Sequence, residues 1–248
     1  MSEKQNLNKH RGDDYMDKTC IKIENIPAIV YGKESEKVYL FIHGKSGYKE
    51  EAEAFAEVVC LKGWQVLSID LPEHGEREQE KGRFDPWHVV PELKEVLRYI
   101  ETRWSKISLR ANSIGAWFSM ISFDEETFEK CLFVSPILDM VCLIENMMQW
   151  ASVSMEQLEE KKEIETEFGE TLSWDYLMYA KEHGISKWNS PTVILYAGKD
   201  NLTLRATVET FIKKYNCQLD VMEDGEHWFH TNEQLLVLQQ WTDKNVSR

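Results

Sequence analysis

The chain has 248 residues, of which 42% are hydrophobic and 29% charged, a composition typical of a globular protein rather than a disordered or fibrous one. Its 43 acidic and 29 basic side chains give a net charge of −14 at pH 7. This excess of negative charge disfavours binding to nucleic acid, because like charges repel. No apolar run approaches the roughly 20 residues that cross a bilayer. We therefore expect neither a nucleic-acid partner nor a membrane span.

The first 18 residues are polar and of mixed charge, which predicts a flexible tail without the apolar core of a secretory signal. The chain contains five cysteines, an odd number, and their spacing fits no zinc-binding pattern. Reduced, buried thiols in a cytoplasmic protein explain this pattern best.

Short apolar segments alternate with segments of helical periodicity along most of the chain. A strand-rich start over residues 21–31 is followed by buried strands predicted at 38–42, 64–69, 107–111, 131–134, 192–197 and 218–222. Helices are predicted at 49–62, 86–104, 115–123, 204–215 and 232–244. Such alternation indicates an α/β fold with a mostly parallel sheet and helices on both of its faces.

The alternation stops after the sixth strand, and residues 137–188 are predicted to form a helical insertion without strands. Between Asp139 and Ser190 there are 11 acidic and 4 basic residues, which carry half of the net charge of −14. We expect an N-terminal tail (1–18), an α/β core (19–136 and 189–248) and an inserted cap (137–188). The insertion is also rich in methionine and aromatic residues: Met140, Met147, Met148, Trp150, Met155, Trp174, Tyr176, Met178 and Tyr179.

These apolar side chains either cover a substrate pocket or fill a small core of their own, and composition favours neither. In the first case, candidate pocket residues are Met147, Trp150 and Trp174 of the insertion, together with Trp228 of the core.

Ser113 lies between a predicted strand and a predicted helix, in the segment Ala111-Asn112-Ser113-Ile114-Gly115. A nucleophilic serine on a sharp strand-to-helix turn needs small residues two positions away on either side, as in the pattern G-x-S-x-G. Ala111 replaces the first glycine and is still small. The alternative is a serine that only caps the following helix.

Asp200 and His227 each follow a later predicted strand. Ligands of open parallel sheets bind at the carboxyl ends of the strands, so these positions favour a functional role. Histidine is the natural general base near neutral pH, and a carboxylate can orient it. Asp139 is a second candidate for the carboxylate, and a turn-forming role remains an alternative for Asp200. His227 and His230 have no obvious third partner, so no metal site is expected.

The order serine, aspartate, histidine along the chain is the order found in the α/β-hydrolases. Two further motifs agree with it: Phe41-Ile42-His43-Gly44-Lys45 follows one strand, and Asp70-Leu71-Pro72-Glu73-His74-Gly75 follows the next. Over about residues 38–241 the chain therefore resembles a serine-type α/β-hydrolase with a helical cap inserted after the sixth strand. It departs from the usual pattern at Ala111 and Asn112, which weakens assignment to a typical lipase.

The resemblance implies a role for each matching residue. Ser113 would be the nucleophile, His227 the general base and Asp200 the carboxylate that orients the imidazole. The backbone N–H groups of Lys45 and Ile114 would form the oxyanion hole. In this family the histidine at His43 shapes the oxyanion loop, and the one at His74 is usually structural.

The implied activity is hydrolysis of an ester or thioester of a small to medium, partly apolar acyl substrate, without cofactor or metal. The side chain of Lys45 would point to solvent or reach an anionic substrate group. Two alternatives use the same fold: a protein that binds a ligand or partner without catalysis, and a perhydrolase or C–C bond hydrolase with the same triad.

Overall fold

The computed structural model describes residues 16–246. Most of the predicted tail lies outside the described residues, and Lys18, its last residue, already belongs to the first strand. Among residues 16–246, every helix is too short or too polar to cross a bilayer.

Eight strands form the central sheet, and two short strands form a separate hairpin. The sheet contains β1 (Lys18–Ile23), β2 (Ile26–Tyr31), β3 (Lys37–Ile42), β4 (Gln65–Ile69), β5 (Lys106–Asn112), β6 (Cys131–Val134), β9 (Thr192–Ala197) and β10 (Gln218–Met222). The hairpin contains β7 (Glu163–Glu165) and β8 (Thr171–Ser173).

The described residues also include eight α-helices. They are α1 (Glu53–Val59), α2 (Pro86–Glu101), α3 (Ile114–Ser122), α4 (Met140–Trp150), α5 (Met155–Lys161), α6 (Trp174–Glu182), α7 (Arg205–Tyr215) and α8 (Asn232–Asn245). The helix predicted at 49–62 is α-helical only in its middle, with 3-10 turns at Lys49–Ala52 and Cys60–Lys62. Gly63 ends this segment in the left-handed conformation (φ +80°) that glycine adopts without strain.

The strand order is β1-β2-β4-β3-β5-β6-β9-β10. β1 and β2 pair antiparallel to each other, β2 pairs antiparallel to β4, and all other neighbours are parallel. The register aligns the ends of the central strands, since Ile42 lies opposite Ala111, and Val134 lies opposite Asn112 and Leu195. The loops that follow β3, β5, β6 and β9 therefore meet at one edge of the sheet.

Apolar side chains cover both faces of the sheet, as the buried, non-alternating strands predict. On one face, α2, α3 and α7 pack together with helices of the 137–188 insertion into the larger core. On the other face, α1 and α8 pack over aromatic residues of β3 and apolar residues of β6 and β9. The predicted α/β architecture is confirmed, with the insertion joined to the larger core.

The insertion differs from the sequence-based prediction in one respect, because β7 and β8 interrupt its helices. Each strand has only three residues, which is too short for an alternating pattern to be visible in the sequence. The hairpin is closed locally: the N–H of Thr166 donates to the carbonyl of Glu170 (2.9 Å), and the Thr166 hydroxyl donates to the same oxygen (2.7 Å).

All five cysteines are free thiols. The expectation that they are buried is wrong for Cys20, which is exposed on the edge strand β1, and only Cys131 in the central sheet is fully buried. Burial in the sheet raises the pKa of the Cys131 thiol.

Candidate active site

Ser113 occupies a strained turn between β5 and α3. Its backbone has φ +49° and ψ −125°, a conformation rarely adopted by residues other than glycine. Backbone hydrogen bonds hold the turn: the Ser113 N–H donates to the carbonyl of Val134 (3.0 Å), and the Ser113 carbonyl accepts from Ala116 and Ile137 (both 3.1 Å). The Ser113 hydroxyl makes no capping bond to α3, which contradicts the alternative of a helix-capping serine.

Small residues surround this turn for steric reasons. A Cβ atom at Gly115 would lie 2.3 Å from the carbonyl oxygen of His43, so only glycine fits there. A Cβ at Gly44 would lie 3.1 Å from the Cβ of Ser113. Ala111 is fully buried in the sheet. The loop of residues 43–47, called here the 43–47 loop, is thus packed directly against Ser113.

The structure brings Ser113, His227 and Asp200 into one hydrogen-bonded chain. Ser113 Oγ lies 2.8 Å from His227 Nε2, and His227 Nδ1 lies 2.7 Å from Asp200 Oδ2. The side chain of Asp200 is fully buried, whereas that of His227 is 16% exposed. The buried Asp200 carboxylate therefore binds one nitrogen of the imidazole, Nδ1, and the other nitrogen, Nε2, faces the Ser113 hydroxyl.

Asp200 is fixed by the turn that follows β9. Its Oδ1 accepts the N–H groups of Leu202 (2.8 Å) and Thr203 (3.0 Å), which leaves Oδ2 for the histidine. Asp139, the second candidate for this role, instead caps α4 by accepting the N–H of Cys142 (2.9 Å). Of the two carboxylates, only Asp200 contacts His227.

The loops carrying Asp200 and His227 are tied to each other. The N–H of Gly198 donates to the carbonyl of Met222 (2.8 Å), and the N–H of Lys199 donates to that of Gly225 (2.9 Å). A Cβ at Gly198 would lie 2.3 Å from the carbonyl oxygen of Glu223. Gly198 thus permits the close approach that places the two side chains together, a role that the sequence pattern did not reveal.

Two histidines shape the 43–47 loop. His43 Nδ1 lies 2.7 Å from the carbonyl of Gly44, and its Nε2 accepts the N–H of Leu71 (3.0 Å). His74 Nε2 accepts the N–H of Ser46 (2.8 Å). A ring nitrogen that accepts an N–H carries no proton, so both rings are neutral. Burial lowers the pKa of His43 to about 4 and lowers that of His74 as well.

Below this loop lies a buried ion pair that sequence analysis did not single out. Lys49 Nζ donates to Asp70 Oδ2 (2.8 Å), and the Lys49 N–H donates to Asp70 Oδ1 (2.8 Å). A Cβ at Gly75 would collide with the Asp70 carboxylate at 2.2 Å. Asp70 thus binds Lys49, which lies just after the 43–47 loop, while Leu71 and His74 of the same motif bind the loop itself.

The two backbone N–H groups predicted to bind an oxyanion belong to Ile114, which follows Ser113 in the chain, and to Lys45 of the 43–47 loop. Ile114 is the first residue of α3, where a helix has no acceptor for its N–H groups. Lys45 follows Gly44, which packs against Ser113. The sequence analysis expected the Lys45 side chain to point to solvent or to reach an anionic group of the substrate. In the structure it forms an ion pair with Glu170 of the β7–β8 hairpin.

The four predicted pocket residues occupy different environments. Met147 and Trp174 are partly buried and pack against the larger core. Trp150 is 50% exposed and contacts the ring of Phe168, and Trp228 is 73% exposed and stacks on His230. Their role in binding substrate stays a prediction.

No family model matches the chain, and no curated protein matches it. Several solved structures share its fold. Est1E from Butyrivibrio proteoclasticus with ferulic acid bound aligns with a TM-score of 0.70 at 18% identity, over 91% of this chain and 96% of that one. Alpha/beta hydrolase domain-containing protein 10 from mouse gives 0.71 at 15% identity, over 92% and 97%.

The monoacylglycerol lipase of Paleococcus ferrophilus gives a TM-score of 0.63 at 14% identity, over 89% of this chain and 99% of that one. Each of these alignments covers about nine tenths of the chain. At such low sequence identity, these similarities establish a shared fold and not a shared function. The chain has the α/β-hydrolase fold.

Proposed function

We propose that the protein is a serine hydrolase that cleaves a carboxylic ester or thioester, as a carboxylesterase does. The observation that carries this proposal is the hydrogen-bonded chain from Ser113 through His227 to Asp200, at 2.8 and 2.7 Å. The hydrolase and lipase names of its structural neighbours agree with it. Hydrogen-bond contact between nucleophile, base and orienting acid is the arrangement that nucleophilic acyl transfer requires.

In this mechanism His227 Nε2 takes the proton of the Ser113 hydroxyl while Oγ attacks the acyl carbon. The carbonyl oxygen becomes an oxyanion, which the N–H groups of Lys45 and Ile114 stabilise, each by about 3–4 kcal/mol. The bond between the acyl carbon and the leaving oxygen or sulfur then breaks, and the imidazolium gives its proton to the departing alkoxide or thiolate. The acyl group stays bound to Ser113. Water, deprotonated by His227, then releases the acid and restores the serine. Asp200 holds the imidazole tautomer throughout.

The expected substrate is a small to medium, partly apolar acyl compound, with the 137–188 insertion as a cap over its binding site. This rests on the methionine and aromatic content of the insertion and on its packing against the larger core. One structural neighbour was solved with ferulic acid and another is a monoacylglycerol lipase. A test panel should thus contain esters of aromatic and aliphatic acids. The division into core and cap and the cytoplasmic location stay predictions.

A fluorophosphonate probe tests the nucleophile. We expect stoichiometric labelling, mapped by mass spectrometry to Ser113, and loss of both labelling and p-nitrophenyl ester hydrolysis in Ser113→Ala. Ser105→Ala, which removes an exposed hydroxyl far from the site, is the matched control and should keep both. A folded protein whose Ser113 does not react would contradict the proposal and favour a binding protein on this fold.

The carboxylate is tested by comparing Asp200→Asn with Asp139→Asn. Loss of the charge that stabilises the imidazolium should lower kcat/KM by roughly 10⁴-fold for Asp200→Asn, as in serine proteases. Asp139→Asn keeps an oxygen that can cap α4 and should change kcat/KM less than about tenfold. Equal effects of the two substitutions would argue against this assignment of roles.

A further inference from the structure

Tyr176 joins the insertion to the helix that follows Ser113. It lies in α6, and its ring stacks on that of Trp117, with centroids 5.9 Å apart and an angle of 25° between planes. Trp117 lies in α3, one helical turn after Ser113, and is almost completely buried. Trp87, at the start of α2, contacts the same tyrosine ring at 6.0 Å. The phenol therefore lies between the insertion and the elements that surround Ser113.

The Tyr176 hydroxyl is buried without a hydrogen-bond partner among residues 16–246. The residue as a whole is only partly buried, so it is the tip of the side chain that is shielded. Burying a hydroxyl without a partner is unfavourable, and native proteins rarely do so without a reason. Other residues also have a buried polar atom without a partner: Tyr31, Ser68, Ser108, Arg110, Asn112, Ser122 and Ser135. Within this set of the described residues, Tyr176 is the one that the insertion contributes.

The charges near Tyr176 define which group would suit its hydroxyl. Desolvation, together with the nearby carboxylates of Asp85 and Glu170, raises the pKa of Tyr176, so the hydroxyl stays protonated and can donate. Both carboxylates are engaged elsewhere: Glu170 pairs with Lys45, and Asp85 accepts from the backbone and ring of His88. Their negative charge disfavours an anionic partner. A neutral carbonyl or hydroxyl oxygen fits best.

We propose that Tyr176 determines substrate specificity by donating a hydrogen bond to a neutral oxygen of the substrate. The enzyme would then prefer esters that carry a hydroxyl or carbonyl group in addition to the ester being cleaved. This inference rests on the proposed hydrolase function. A site built to pair a polar group discriminates against analogues that lack it, because its own polar atom is then left buried and unpaired.

The experiment compares two pairs of p-nitrophenyl esters: hydroxyphenylpropanoate with phenylpropanoate, and levulinate with pentanoate. For the wild type we expect a higher kcat/KM on the oxygen-bearing member of at least one pair. In Tyr176→Phe, which keeps the ring and its stacking on Trp117, the ratio within that pair should fall about tenfold. Tyr179→Phe, one turn away on the same helix, is the matched control and should keep the wild-type ratio.

The melting temperature of the protein without substrate distinguishes this role from a structural one. If the hydroxyl only stabilised the fold, its removal would lower the melting temperature. Removing a buried, unpaired hydroxyl should leave the melting temperature of Tyr176→Phe unchanged or raise it. A lower melting temperature with an unchanged substrate ratio would overturn the proposal, because the hydroxyl would then have a partner in the folded chain. An unchanged ratio at any melting temperature would overturn it as well.

Failure of this inference is distinguishable from failure of the proposed function. If Ser113 reacts with fluorophosphonate and the wild type cleaves all four esters, but Tyr176→Phe keeps every ratio, then the hydrolase stands and the specificity proposal falls. If Ser113 is inert and no ester is cleaved, the hydrolase function itself fails.

Discussion

His43 and His74 show how single side chains fix the position of a catalytic loop. Each ring accepts a backbone N–H at Nε2, His43 from Leu71 and His74 from Ser46, so each must be neutral to work. Their bonds join the 43–47 loop to the turn after β4. A proton on either ring would abolish one of these bonds and place a charge in a poorly hydrated site.

We predict that His43 makes the protein less stable at acid pH. Its pKa is about 4 in the folded protein and near 6.5 in the unfolded chain. Between these values the unfolded state binds more protons, so the free energy of unfolding contributed by this group is fully present above pH 6.5. It falls by about 1.4 kcal/mol per pH unit as the pH drops from there towards 4.

Urea unfolding of wild type and His43→Gln at several pH values checks this. Since other groups titrate alike in both proteins, the difference between their unfolding free energies should shrink as the pH falls. A difference that does not depend on pH would show that His43 does not contribute in this way.

Among the elements, the junction from β5 to α3 decides where the nucleophile lies. β5 delivers Ser113 to the carboxyl edge of the sheet, and α3 must begin at once to leave the Ile114 N–H at that edge. The approach is so close that the backbone of the 43–47 loop touches Gly115. A glycine also permits close backbone contact at Gly198, where the loop after β10 packs on the loop after β9.

We predict that Gly115→Ala destabilises the protein and displaces Ser113. Its methyl group would lie 2.3 Å from the His43 carbonyl oxygen, a backbone atom that cannot move without shifting the 43–47 loop. Overpacking of this kind costs about 1–3 kcal/mol. Urea unfolding should show that loss, and the rate of fluorophosphonate labelling should fall.

Gly184→Ala is the matched control, because its methyl group would have no neighbour closer than 3.9 Å. It should change stability by less than about 0.5 kcal/mol and leave labelling unchanged. Wild-type labelling by a stable Gly115→Ala protein would contradict the steric argument.

At the scale of the whole molecule, charge is distributed unevenly. Half of the net charge of −14 lies between Asp139 and Ser190, around the insertion. Lys45 in the 43–47 loop is ion-paired with Glu170, which removes a cation that would attract anions to the site. The field near Ser113 is therefore expected to repel negatively charged substrates.

We predict that added salt raises hydrolysis of an anionic ester relative to a neutral one. Between about 20 and 200 mM salt the screening length falls well below the size of the insertion, so repulsion weakens. The ratio of kcat/KM for a succinate monoester to that for the neutral butanoate ester should rise several-fold. A ratio that is constant or falls with salt would contradict this electrostatic account.

The sequence by itself predicted the architecture and, for the proposed triad, Ser113 and His227, with Asp200 and Asp139 as alternatives for the carboxylate. Buried strands alternate with amphipathic helices, and this local pattern follows from burial on both faces of a parallel sheet. The candidate residues were recognisable because each follows a predicted strand, and the carboxyl ends of parallel strands lie at the same edge of the sheet. These residues are Ser113, Asp200 and His227. Their order matches one known arrangement.

Only the tertiary structure decided between Asp200 and Asp139, because both follow strands and only the distance to His227 separates them. It also revealed the β7–β8 hairpin, the pairing of Lys45 with Glu170 and the unpaired hydroxyl of Tyr176. The ion pair joins residues 125 positions apart, and such a contact leaves no periodic signal in a single sequence. Whether a polar atom finds a partner depends on packing in three dimensions, which local patterns do not encode.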